Sequence, residues 1–307
     1  MEQKLAAAPL DRQHGKLAYH AVTYGWLLSG LARAVTGKGM RELFREELAR
    51  PLNTDGIHLG RPPADSPTKA KVTSEGERVI TALWDVIAAK GVEKDTFFET
   101  VAREIGLLPR LEGTVHINIG LLGKFMPNYL FAPDSTLPVI PRRDDAADDA
   151  FLFAQGPTGG LGKVRFHDWR ASFDTCAHLP NVALLREQVD VFAELLASAT
   201  PDAAQQKDID FAFGVGQLFP NVPYAQLILE EARLSGVDEA LIDEIFGVLV
   251  RDFNTHAVEL HGRSATTAEQ ARFAMRMVRR PVHDPARYDQ IWKDHVLALN
   301  GAYQMAP

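Results

Sequence analysis

After Asp238, the apolar residues Leu241, Ile242, Ile245, Phe246, Leu249 and Phe253 fall on a single stripe. Their spacing follows the 3.6-residue turn of an α-helix rather than the two-residue repeat of a strand. Asp238 heads the stripe, where its carboxylate can accept from the unpaired N–H groups of a first turn. The same periodicity recurs at Val72, Val79, Leu83, Val86 and Ile87, and again at Phe97, Phe98, Val101 and Ile105. A chain patterned in this way is expected to be all-α.

Breaks in the pattern divide the helices. Residues 10–49 read as one helix or two, interrupted by the glycines of TGKGM at 36–40. A Pro- and Gly-rich loop follows over 50–67. Ser66 before Pro67 has the form of a helix cap with proline in the first turn. Gly91 ends that helix, Asp95 can cap the next, and another begins near Thr114. Later helices are expected at 183–199, 206–218, 222–235, 238–261, 265–279 and 285–303, with Thr266 and Glu269 forming a capping box. Residues 133–180 combine prolines, an acidic run and glycines, and read as an irregular connection. The expected organisation is a helical bundle over 1–132, a linker over 133–180 and a second bundle over 181–307.

Bulk properties narrow the function. A net charge of −7 disfavours a nucleic-acid or anionic-membrane surface. A single cysteine, Cys176, leaves no internal disulfide and fits a reducing, cytoplasmic setting. The N-terminus lacks the uninterrupted apolar core of a secretory signal. The apolar stretch 17–35 contains His20, Gly25, Gly30 and Arg33, which suits a buried helix better than a membrane span.

Most chemical motifs fail on spacing. GPTGGLGKV at 156–164 lacks the glycine spacing of a phosphate loop and carries Val164 where a magnesium-binding hydroxyl belongs. His256 and His261 are five apart and so fall on different helix faces, unlike a zinc helix. No metal site is expected. Glu112, in RLEGTVHINI, stands out because it opens an apolar helix. It reads either as a helix-cap element or as a carboxylate whose desolvation raises its pKa toward that of a general base.

Glu112-Gly113-Thr114, with Arg103 nine residues before the glutamate and Lys69 and Lys71 further upstream, resembles the C-terminal helical domain of the flavin-dependent acyl-CoA dehydrogenases and oxidases. The resemblance covers about residues 10–130. It implies FAD as cofactor, an acyl-CoA substrate and Glu112 as the base that takes the α-proton. By position it places Gly113 and Lys124 against substrate, and Thr114, Val115, His116, Ala88 and Ala89 near the flavin. Three departures stand beside it. Ala88 and Ala89 replace a glycine pair, Pro109 precedes the base, and the family's N-terminal and middle β domains are absent. The resemblance therefore implies a homo- or hetero-oligomer with a chain supplying those domains. The alternative reading is a non-catalytic helical subunit that serves oligomerisation.

Overall fold

A computed structural model describes residues 31, 33–38, 65–94, 96–108, 115–137 and 164–299. The chain divides into two units, 1–63 with 140–158, and 64–139 with 159–307. Of the first, a helical turn ending at Gly37 is described. The Gly37 N–H donates to Arg33 O at 2.9 Å, and its φ of +72° is one that glycine adopts at little cost.

The second unit is all-α, and among the described residues every regular element is helical. Its helices are α1 (Asp65–Ile87), α2 (Phe97–Ile105), α3 (Val115–Leu122), α4 (Met126–Phe131), α5 (Trp169–Thr175), α6 (Pro180–Ser198), α7 (Ile209–Leu218), α8 (Asn221–Ser235), α9 (Glu239–Gly262), α10 (Ala268–Met277) and α11 (Pro285–Ile291). A 3₁₀ turn, Ala88–Val92, follows α1, and a π turn, Trp292–Val296, follows α11.

Helices α6, α9 and α10 pack on one another and form the centre of the unit. Val182, Leu185, Val189, Phe192 and Leu195 of α6 meet the stripe on α9, where Phe246, Leu249, Val250 and Phe253 are buried. The rings of Phe192 and Phe253 lie 6.2 Å apart edge to face, a favoured aromatic arrangement. On the other side, α1 packs on α3 and α8, and α3 packs on α7. Gly216 permits that last approach, because a Cβ there would collide with the Ile119 side chain.

Buried amides tie the centre together. Gln188 of α6 donates to Met277 O and Asn254 Oδ1, both at 2.8 Å. Asn181 donates to the fully buried Asp243 at 2.9 Å from its amide and at 2.8 Å from its backbone N–H. Gln270 of α10 donates to Ala199 O at 3.0 Å. Buried polar groups are tolerated because they are paired in this way.

Within 133–180, Asp168 caps α5 by accepting from Arg170 N. Trp169 and Phe173 of this helix are buried. The periodicity there is short and hidden by the neighbouring prolines and glycines. Among the described residues, no helix is long and apolar enough to cross a membrane.

Candidate functional site

The densest chemistry among the described residues lies where α1 meets α9. Lys71, Glu75 and Arg78 occupy one face of α1 at steps of four and three, which brings successive side chains into register. Lys71 Nζ lies 2.5 Å from Glu75 Oε1 and 2.8 Å from Asp252 Oδ2. Arg78 reaches Asp252 through both terminal nitrogens, at 2.7 and 3.1 Å, and Glu75 Oε2 at 2.7 Å. Lys71 is 7% exposed and Asp252 6%. Two cations and two anions cancel, which makes the burial of Lys71 and Asp252 tolerable, while the Arg78 side chain stays half exposed.

Burial pushes the Asp252 carboxyl up, but the Arg78 and Lys71 contacts outweigh it and hold the group below its ordinary value. The Asp252 hydrogen bond raises Arg78 against the cost of burial. His256 lies one turn beyond Asp252. Burial depresses its pKa most, and the Lys71 charge adds to the depression despite the opposing pull of Glu259, 3.2 Å away. The balance favours the neutral imidazole. No group of His, Cys, Asp and Glu suited to a metal ion occurs among the described residues.

Beside this network a cavity of about 400 Å³ opens between α1, α8 and α9. Its walls include Val72, Leu227, Ile228, Ala232, Val237, Ile242 and Ile245, and its polar groups are Tyr224 and Glu231. Burial raises the Tyr224 hydroxyl pKa, with Glu75 and Asp252 adding to the effect. The arrangement can hold a small apolar body with donors directed at Tyr224 and Glu231.

The residues singled out from sequence are not gathered at this site. Glu112, Gly113 and Thr114 lie outside the described residues. Val115 packs against the core from α3. His116 stacks on Phe213 at 4.5 Å, and Lys124 is exposed just beyond α3. Ala88 and Ala89 sit in the 3₁₀ turn after α1, Ala88 with φ 51°. Sequence reasoning noted Lys71 only for its place in the resemblance and passed over Asp252. The available signal was a carboxylate three residues after Leu249 and next to Phe253, on the apolar stripe itself.

Comparison with known proteins places the chain. The model of the Beta-lactamase family matches residues 1–161, and the chain belongs to that family. Esterase/beta-lactamase LipL of Mycobacterium tuberculosis (strain ATCC 25618 / H37Rv) is 74% identical over 69 residues, which make up 22% of this chain and 16% of that protein. The match thus spans about a sixth of the curated relative's length. No solved structure matches the chain.

These matches overturn the dehydrogenase resemblance. The oxidoreductase function, the FAD cofactor, the acyl-CoA substrate and the partner supplying dehydrogenase domains fall with it. So does the non-catalytic subunit derived from that family. The physical reason is how little Glu-Gly-Thr after an arginine constrains. A carboxylate, a flexible residue and a hydroxyl are common wherever a helix starts, whereas the family match rests on a pattern spread across 161 residues. Val115, His116, Ala88 and Ala89 lose the flavin assigned to them, and Gly113 and Lys124 lose the thioester. For Glu112, the α-proton abstraction is withdrawn.

Proposed function

We propose that this chain is a hydrolase of the esterase/β-lactamase type, transferring an acyl group from an ester or a strained cyclic amide to water. The observation that carries this reading is the family match over residues 1–161. The relative's name supports the choice of ester and lactam substrates.

Such chemistry requires an activated nucleophile. The matched segment holds four serines, Ser29, Ser66, Ser74 and Ser135, and of these Ser66 alone has a lysine three residues on, Lys69. Ser-x-x-Lys is the nucleophile spacing of serine β-lactamases and penicillin-binding proteins. Both residues lie within the first five residues of α1. Residues three apart on a helix are neighbours, and unpaired N–H groups at a helix start favour developing negative charge. In the reaction, Ser66 Oγ would bond to the acyl carbon as its proton passes to Lys69. The leaving alcohol or amine would depart protonated, and water would then cleave the serine ester. A cytoplasmic setting, suggested by the single cysteine, is part of the same reading.

The test is hydrolysis of p-nitrophenyl butyrate and of a chromogenic cephalosporin by the purified chain, its Ser66→Ala variant and its Lys69→Met variant. The reading expects turnover of at least one substrate and a loss of about 10³-fold or more in either variant. A wild-type chain inert toward both substrates would end the hydrolase reading. Activity that survives Ser66→Ala would move the nucleophile elsewhere.

A further inference from the structure

The cavity beside α8 lies outside the chemistry proposed above. Its two polar groups, Tyr224 and Glu231, are seven residues apart on α8. Seven residues of helix rise about 10 Å, so the polar groups stand near opposite ends of an apolar trough. Ile228 and Ala232 line it between and beside them, with Val72, Ile242 and Ile245 on the facing helices.

Both ends offer an oxygen that can accept from an ammonium head, and the Glu231 end adds negative charge. Glu231 is the one charged residue among those lining the cavity. One of its oxygens accepts from Ser235 at 2.5 Å, which leaves the other available. The Tyr224 hydroxyl makes no hydrogen bond among the described residues. Its oxygen therefore keeps lone pairs free to accept from an ammonium head. Burial holds the Tyr224 hydroxyl pKa above its ordinary value, so the phenol stays protonated and able to accept. An anion would meet repulsion at Glu231.

We propose that this cavity binds a linear aliphatic α,ω-diammonium ion, one head on Glu231, the other on Tyr224, with the methylene chain against the apolar walls. The size fits. Nine extended bonds, as in 1,8-diaminooctane, span about 11 Å. Ten non-hydrogen atoms at about 30 Å³ each occupy roughly 300 Å³, which the cavity of about 400 Å³ accommodates. Shorter diamines reach one head only, and a monoamine leaves one end unanswered.

Isothermal titration calorimetry on the full chain at pH 7 and low salt tests the proposal. The probes are 1,4-diaminobutane, 1,8-diaminooctane, octylamine and octanoate, so binding is read without any hydrolysis assay. The expected order has 1,8-diaminooctane at least tenfold tighter than 1,4-diaminobutane and octanoate, and about threefold or more tighter than octylamine. Glu231→Gln should cost the diaminooctane at least fivefold, and Tyr224→Phe about threefold. Val72→Trp, at a half-exposed wall position, should block binding with the circular dichroism spectrum unchanged. Affinity flat across the diamines, octanoate equal to the diaminooctane, binding indifferent to Val72→Trp, or no binding at millimolar concentration would each overturn the proposal.

Discussion

Asp252 gathers more consequence than any other side chain described. Itself nearly out of water, it holds the buried Lys71 and the half-exposed Arg78 at once. Removing one partner of a buried ionic group leaves an uncompensated charge, at a cost of about 3–5 kcal/mol. Lys71→Met should therefore lower stability by about 3 kcal/mol in urea unfolding. Adding Asp252→Asn restores neutrality, so the double variant should lose less than the sum of the singles. Additive losses would mean that the ions are not coupled. The pH dependence has a defined sign. A folded-state pKa below the ordinary value gives stability that is fully present above the unfolded carboxylate's pKa, about 3.9. That stability is lost as pH falls through the lower folded value. Asp252→Asn should flatten stability against pH in that acidic window.

At the scale of elements, the sequence shows where helices lie better than where they begin. The stripe after Asp238 is confirmed as α9, with Asp238 accepting from Ala240 N. The capping box stands one residue along from its expected place. Thr267 accepts from Gln270 N at 3.2 Å, and Gln270 Oε1 accepts from Thr267 N at 3.0 Å. The register is set from outside the helix, because the Gln270 amide also reaches Ala199 O and Gln205. No local pattern could announce partners about 65 to 71 residues away. Gln270→Ala should cost about 2–3 kcal/mol by stranding those groups. Glu269→Ala, on the exposed side, should cost no more than about 0.5 kcal/mol. Chemical unfolding midpoints distinguish the two. Thr96 caps α2, its hydroxyl accepting from Glu99 N at 3.2 Å, while the expected Asp95 lies outside the described residues. Helix α5 escaped notice because its seven residues, about two turns, carry too little periodicity.

Across the whole molecule, the all-α character was legible because helical spacing recurs through the chain. The family was not, since none of the motifs weighed for chemistry carried it. The ionic network needed contacts between residues over 170 positions apart, which a single sequence does not display. Packing among α6, α9 and α10 predicts the order of opening. Backbone amides of these helices, Leu249 and Phe253 among them, should exchange slowest with deuterium, and those of α11 and the π turn, which bury no side chain, fastest. Mass-spectrometric exchange on peptides from each helix checks this, and equal protection throughout would contradict it.

The joint between α1 and α9 also bears on modularity. Helix α1 falls within the stretch that marks the family, and α9 lies beyond it. A shuffled gene that kept the later helices and exchanged the earlier segment would inherit a carboxylate in an oily socket with no cation opposite. Recombination across this seam would then succeed only where the incoming helix brings a lysine and an arginine two turns apart.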